Sequence, residues 1–162
     1  MDLKLHRLTR LSSDNRGTGA LELALALPML MMLLVGMIDI SRYIANRIDV
    51  EQAAIRTTEY ALAIRPTDKK ESTKRIITEA VAAANADIKD VSVEIFLECD
   101  GTKQTDFSSV CADSEDQARF VSVSIKRHVD PVFDWPALAG ALGWNIGTSE
   151  VTVTGDSIVR FQ

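Results

Sequence analysis

The carboxylate of Glu22 is the most unusual chemical group in the sequence, because it lies within an almost entirely apolar stretch. A carboxylate costs about 2.5 kcal/mol or more at the centre of a membrane, and less toward the interface. If the chain is cut after Gly17, Thr18 supplies a new N-terminal amine and Glu22 becomes the fifth residue of the shortened chain. The amine of one subunit and the carboxylate of the next would then neutralise each other in apolar surroundings. The competing interpretation is that Glu22 only reaches the lipid headgroups.

The element that must hold Glu22 is the apolar run from Ala20 to Ile38, which is 19 residues long and contains no other charged residue. As an α-helix it would be about 28 Å long, close to the roughly 30 Å hydrocarbon core of a bilayer. It is longer than the apolar part of a secretory signal and ends without a small-x-small cleavage site. We therefore expect a retained transmembrane helix over residues 18–41, in preference to a buried helix of a soluble protein.

The charge distribution bears on orientation and on partners. The chain has 162 residues and a formal net charge of -5, yet residues 1–17 carry four basic and two acidic side chains. A short basic head before an apolar run is typical of a membrane-targeting segment and holds the N-terminus in the cytoplasm. The acidic remainder argues against a nucleic-acid partner, which requires a clustered basic face.

The basic head, Gly17, Glu22 and the apolar helix together resemble the class III signal sequences of type IV pilins and pseudopilins. More narrowly, the stretch RGTGALELALALPMLMMLLVGMIDISR (16–42) is similar to the TadE-like family of the tight-adherence (Flp) pilus system. The stretch QAAIRTTEYALA (52–63) also resembles a segment of that family. The matching features are Arg16-Gly17, Glu22, Ala26-Leu27-Pro28, Gly36 and the step from Asp39 to Arg42.

The resemblance implies that residues 1–17 are a leader peptide, which a prepilin peptidase removes between Gly17 and Thr18. It implies a minor pilin or pseudopilin of the bacterial inner membrane, with its C-terminal domain in the periplasm. The partners would be other pilins or pseudopilins, contacted through Glu22, and the pilus assembly platform. The alternative is an unprocessed single-pass membrane protein whose periplasmic domain binds or senses a ligand.

Catalytic motifs are missing from the sequence, which contains no G-x-S-x-G, no Walker loop and no HExxH. We therefore expect no enzyme and no cofactor. A structural zinc site wants four Cys/His ligands in a suitable arrangement, and the two cysteines and two histidines do not favour one. The acidic loop 100–116 lacks the spacing of a known calcium loop, so a solvated loop is the favoured interpretation.

Residues 42–162 are expected to form an α+β periplasmic domain with a helical stalk over 42–65 and a globular part over 67–162. Pro66 ends the stalk. The stalk carries one apolar stripe, which we expect to lie under the dry face of a sheet, with coiled-coil pairing as the alternative use. The stripe consists of Ile44, Ile48, Ile55 and Leu62.

The globular part begins with a predicted helix over 67–87, which Thr67 or Asp68 could cap. Three stretches follow in which apolar and polar residues alternate, as in an antiparallel sheet with one wet face. These predicted strands are VSVEIFLEC (91–99), ARFVSVSIKR (118–127) and SEVTVTGDSIVRF (149–161).

Two further features belong to this domain. Cys99 and Cys111 are predicted to form a disulfide across a loop or hairpin if the domain is exported, with two free thiols as the alternative. The stretch DPVFDWPALAGALGW (130–144) contains Phe133, Trp135 and Trp144. We expect a loop that packs these aromatics against the sheet, with an exposed patch that contacts another subunit as the alternative.

Overall fold

The computed structural model describes residues 18–147 and 150–162. The predicted leader peptide, including Gly17, lies outside the described residues. The chain divides into two compact units, one ending at Ile40 and the other comprising Ser41–Gln162. Helix α1 (Thr18–Ile64) provides the described part of the first unit and the first element of the second.

The first half of α1 is apolar around its whole circumference. Leu23, Met29 and Leu33 are exposed by 59%, 72% and 61%. Such a helix has no polar face to turn toward water, so it suits lipid better than a soluble surface. Among the described residues, α1 is the one helix long and apolar enough to cross a membrane. Pro28 lies inside it, at a position that a membrane helix tolerates.

The end of α1 follows from its sequence. Pro66 disfavours the helical conformation of the residue before it. Arg65 leaves the right-handed helical conformation with a φ of 45°, and its N–H still donates to the carbonyl of Ala61 at 3.2 Å. A left-handed residue immediately after the last helical one is a common way of closing a helix.

Helix α2 (Lys69–Ala84) has both ends capped by polar residues. The Asp68 carboxylate accepts a hydrogen bond from the Glu71 N–H at 2.7 Å, so of the two predicted caps Asp68 is the one used. Asn85 closes the helix with a φ of 47°. A single turn of 3-10 helix (Ile88–Asp90) then leads into the sheet.

Within the described part of the chain, the sheet has four antiparallel strands in the order β2-β1-β3-β4. Three of them, β1, β3 and β4, match the predicted strands, and with the two helices they confirm the α+β fold class. The short strand β2 was not predicted. It pairs with β1 across Asp100 and Gly101, whose φ values of 47° and 75° have the signs of a type I′ hairpin turn. The strand bounds are β1 (Val91–Cys99), β2 (Thr102–Lys103), β3 (Gln117–Val129) and β4 (Val151–Arg160).

The face of α1 that packs against the sheet differs from the predicted one. Ile44, Ile48, Ile55 and Leu62 are all exposed, so the prediction that this stripe lies under the sheet is wrong. A face of smaller side chains is buried instead, because small residues let a helix approach a sheet closely. The buried residues of α1 are Val50, Ala53, Ala54, Thr57, Thr58 and Ala61.

Strand β4 runs along this buried face in the same direction as α1. Gly155 lies against the backbone at Val50. Further along, the hydroxyl oxygens of Ser157 and Thr58 are 3.0 Å apart. Phe161 and Arg65 then line one small cavity at the ends of the two elements. The domain therefore has a near end, where α1 enters at Ser41, and a far end at the close of β4.

Candidate functional site

Thr18 and Glu22 begin the described part of α1. They are four residues apart in an unbroken helix, so both lie on the same face, separated by one turn or about 6 Å along the axis. Glu22 is exposed, and its neighbours Leu21 and Leu23 are exposed by 64% and 59%. Among the residues that the structure describes, Glu22 makes no hydrogen bond or ion pair within the chain.

This arrangement is compatible with pairing of charges between neighbouring chains. A carboxylate surrounded by exposed leucines is costly in lipid unless an opposite charge approaches it. In a chain cut before Thr18, the new amine would lie on the same helix face as the carboxylate. Two parallel copies of α1 displaced by about 6 Å along their axes would bring the amine of one level with the carboxylate of the other. Gly17, the other half of the predicted cleavage site, lies outside the described residues.

The disulfide between Cys99 and Cys111 is present in the structure, with a Cα–Cα distance of 5.6 Å. Cys99 is the last residue of β1, and Cys111 lies in the connection between β2 and β3. The same connection inserts Phe107, only 3% exposed, to within 6.4 Å of the Phe161 ring between centroids. The connection is therefore fixed to the sheet at two points, one covalent and one hydrophobic.

Acidic side chains of this connection and of the β1–β2 turn accept hydrogen bonds from backbone N–H groups. The Asp100 carboxylate accepts from the Asp116 N–H at 2.8 Å, and the Asp106 carboxylate accepts from the Ser108 N–H at 2.9 Å. Glu115 accepts in the same way from Ala112, at 3.1 Å. Side-chain oxygens of Asp and Glu commonly satisfy the backbone N–H groups of turns. These acids thus have a structural role in the loop.

A cluster near the disulfide resembles a metal site only in its residue types. Cys99, Cys111 and Glu115 place possible ligand atoms within 4.8 Å of one another. Both sulfur atoms belong to the disulfide, however, and the thiolate is the form of cysteine that binds metals. We therefore assign no metal to this cluster.

The connection between β3 and β4 holds the three predicted aromatics and forms a short helix, α3 (Trp135–Ala141). Phe133 and Trp135 meet edge to face, with ring centroids 5.0 Å apart. Trp144 is 68% exposed, so the prediction that this stretch packs its aromatics against the sheet is wrong for Trp144. Its backbone N–H donates to the Ala139 carbonyl at 2.8 Å, which holds it against the end of α3.

A polar cluster at the near end of the domain was missed by sequence reasoning. The Arg127 guanidinium donates to the Asn46 side-chain oxygen at 3.1 Å and to the Ala84 carbonyl, and it lies 3.8 Å from the Asp49 carboxylate. It thereby links α1, α2 and β3. The sequence signal was present, because the alternation in β3 places Arg127 on the parity of the core-facing residues Val123 and Ile125.

A surface ion pair lies on the exposed side of α1. The Arg47 guanidinium donates to the Glu51 carboxylate at 3.1 Å, one turn along the helix. This hydrogen bond, together with the carboxylate charge, raises the pKa of Arg47. Both side chains are well exposed, and pairs of this kind contribute little to stability.

Comparison with known protein families gives a match in the first part of the chain. Residues 17–57 match the family model described as TadE-like protein. The chain carries a TadE-like segment. The resemblance seen in the sequence is therefore confirmed over residues 17–57, and it connects the protein with the tight-adherence pilus system. The TadE-like segment starts at Gly17, contains Glu22 and ends within α1, before α2 and the sheet. No curated protein and no solved structure matches the chain.

Proposed function

We propose that this protein is a minor pilin or pseudopilin needed for assembly of a tight-adherence pilus. It acts through contacts between subunits and performs no catalysis of its own. The observation that carries the proposal is the TadE-like segment beginning at Gly17, with Glu22 on the Thr18 face of α1, one turn along. A prepilin peptidase would cut between Gly17 and Thr18, on the cytoplasmic side of the inner membrane.

Cutting changes the electrostatics of the helix. Before cutting, Glu22 is a carboxylate among exposed apolar side chains. After cutting, each chain also carries an amine at Thr18, and a neighbouring helix displaced by one turn can pair its amine with this carboxylate. The pair removes part of the cost of holding a charge in lipid. Because the pairing depends on the axial offset, it also favours one register between adjacent subunits.

The stalk part of α1 offers a second contact for a neighbouring helix. Ile44 and Leu62 are exposed by 51% and 38%, and Ile48 and Ile55 lie between them on the same side of the helix. Apolar residues at spacings of four and seven form the kind of stripe that packs against another helix. The alternative use of the stripe that the sequence left open, helix pairing, is the one that this exposure supports.

The rest of the domain suits a periplasmic location. A disulfide persists in an oxidising compartment such as the periplasm and is rare in the cytoplasm. The basic side chains of residues 1–17 favour retention of the N-terminus in the cytoplasm. A single membrane-spanning segment that follows residues 1–17 would place Ser41–Gln162 on the periplasmic side.

The experiment is complementation of a strain that lacks this protein. We expect the strain to lose surface pili, the wild-type chain to restore them, and a chain with Gly17→Leu to fail because it is not processed. Gly140→Ala is the matched control, since Gly140 has open space around it and should complement fully. Normal piliation of the deletion strain would overturn the proposed role.

A further inference from the structure

The β3–β4 connection lies at the near end of the domain. Arg127, two residues before the end of β3, bonds to Asn46 of α1 at 3.1 Å. Val129 pairs directly with Val151, so both ends of the connection leave the sheet together. Val151 precedes Gly155 by about 13 Å of strand, and Ser41 precedes Val50 by about 14 Å of helix. Because Gly155 lies against Val50, Val151 lies about level with Ser41.

Exposed apolar side chains are concentrated at this end. The connection exposes Leu142 by 59%, Trp144 by 68% and Ile146 by 54%. Ile88, in the 3-10 turn that precedes β1 at the same end, is exposed by 71%. We call these four residues the apolar rim. Large apolar side chains that share one end of a small domain indicate a surface that is covered in use.

The far end has the opposite character. The connection around Cys111 exposes one large apolar side chain, Val110, by 79%. Around it lie exposed carboxylates that would be repelled by an anionic lipid surface. They belong to Asp100, Asp106, Asp113, Glu115 and Asp116. The end of the domain where α1 enters is thus apolar, whereas the far end is charged, with these carboxylates beside the basic side chains of Lys103, Arg119 and Arg160.

We propose that the apolar rim inserts into the headgroup region of the bilayer and holds the near end of the domain on the membrane surface. The proposal rests on the membrane insertion of α1 that the proposed function assumes. The chain connectivity favours the lipid headgroups as the binding partner of the rim. The membrane-length apolar run ends only a few residues before Ser41, so the near end of the domain follows the membrane directly. The connection that carries three of the four rim residues leaves the sheet about level with Ser41. Tryptophan prefers this interface because its ring is apolar and its N–H is polar.

Apolar contact drives this interaction, and attraction to anionic lipid does not. Asp130, Asp134 and Glu150 are exposed near the rim and offset the basic side chains of Arg127 and Lys89. Binding of the rim therefore depends little on the anionic lipid content of the membrane. A second pilin subunit on the rim is the competing occupant, and the experiment separates the two.

The chain provides its own probe, because it contains two tryptophans and both lie in the connection. The full-length chain with Trp135→Phe, which leaves Trp144 as the sole tryptophan, is reconstituted in phosphatidylcholine vesicles. Part of the lipid carries bromine at shallow acyl positions. We expect brominated lipid to lower the Trp144 emission by about half, since interfacial tryptophans lie within reach of such quenchers. If the variant folds poorly, the wild-type chain, which contains both tryptophans, is measured instead. Brominated lipid should lower its emission in the same way.

The matched control moves the tryptophan to the far end. With Trp135→Phe, Trp144→Phe and Val110→Trp, brominated lipid should leave the emission unchanged and aqueous acrylamide should quench it fully. Trp144 emission that acrylamide quenches fully and brominated lipid does not would overturn the proposal. Protection from acrylamide without quenching by lipid would also overturn it, in favour of a protein on the rim. Resistance of the same samples to alkaline extraction tests insertion of α1 separately, so failure of the rim and failure of the anchor are distinguishable.

Discussion

Gly155 of β4 and Val50 of α1 are in direct backbone contact. A Cβ atom added to Gly155 would lie 2.5 Å from both the carbonyl carbon and the carbonyl oxygen of Val50, and 2.6 Å from the Glu51 nitrogen. Glycine inside a strand often marks such a close approach of another backbone. This contact sets the distance between α1 and the sheet, and it explains why α1 buries alanine and threonine there.

Gly155→Ala should therefore destabilise the domain, because the added methyl meets backbone that cannot rotate away. We expect a loss of about 1–3 kcal/mol in the free energy of unfolding, as for other overpacked cores. Urea unfolding of the full chain in detergent, followed by near-ultraviolet circular dichroism, measures it. Gly140→Ala is the control and should be neutral or slightly stabilising, since nothing lies within 4 Å of its added Cβ. Equal stability of both variants would mean that the close contact is not formed.

The two faces of α1 should respond oppositely to substitution. Ala54 is 0% exposed and Ile55, its neighbour, is 50% exposed. Ala54→Leu should cost about 1–3 kcal/mol through overpacking, whereas Ile55→Gln should change stability by less than about 0.5 kcal/mol. The same urea titration measures both. A large loss of stability for Ile55→Gln, with little effect of Ala54→Leu, would mean that the face predicted from the sequence is the one that packs against the sheet.

The disulfide should stabilise the domain by restricting the unfolded chain. Replacing Cys99 and Cys111 together by serine removes a cross-link over a sequence separation of 12 residues, which we expect to cost about 2–3 kcal/mol. Val110→Ser, beside Cys111 and 79% exposed, is the control and should leave stability unchanged. Mass spectrometry under non-reducing conditions should show the two cysteines linked in the exported protein. Free alkylation of both thiols in the unreduced protein would contradict the disulfide and would argue against a periplasmic location of the domain.

Much of the fold was predictable from local sequence signals. Alternation of apolar and polar residues located β1, β3 and β4, and the Asp68 cap and Pro66 marked the boundary between the two long helices. The short strand β2 was missed, although the Asp100-Gly101 pair is a recognised signal for a two-residue hairpin.

The packing face of α1 could not be chosen by hydrophobicity alone. The large residues Ile44, Ile48 and Ile55 gave the more obvious stripe, while the small residues at 50, 53, 54, 57, 58 and 61 followed the same helical period. What decided between them was the distance to the sheet, which Gly155 sets from more than a hundred residues away in the chain. The Thr18–Glu22 relationship was predictable, since four residues in a helix always share a face.

Glu22→Ala should separate assembly from insertion. Removing a charge makes membrane insertion easier, so the variant should insert and be cut normally. Loss of one partner of a buried pair costs roughly 3–5 kcal/mol, so assembly should fall sharply. Co-purification with other pilins and counts of surface pili measure this. Asp113→Ala, at an exposed acid in the connection between β2 and β3, is the control and should assemble normally. If Glu22→Ala forms normal complexes and pili, the carboxylate only reaches the headgroups.

The N-terminus of the native protein tests the account most directly, because the Thr18 amine exists only after cutting. The protein is purified from the membranes of cells that contain the prepilin peptidase, and its intact mass and N-terminal sequence are determined. We predict a chain that begins at Thr18, and an uncut chain for Gly17→Leu or in cells without the peptidase. A native, assembled protein that still begins at Met1 would contradict the account.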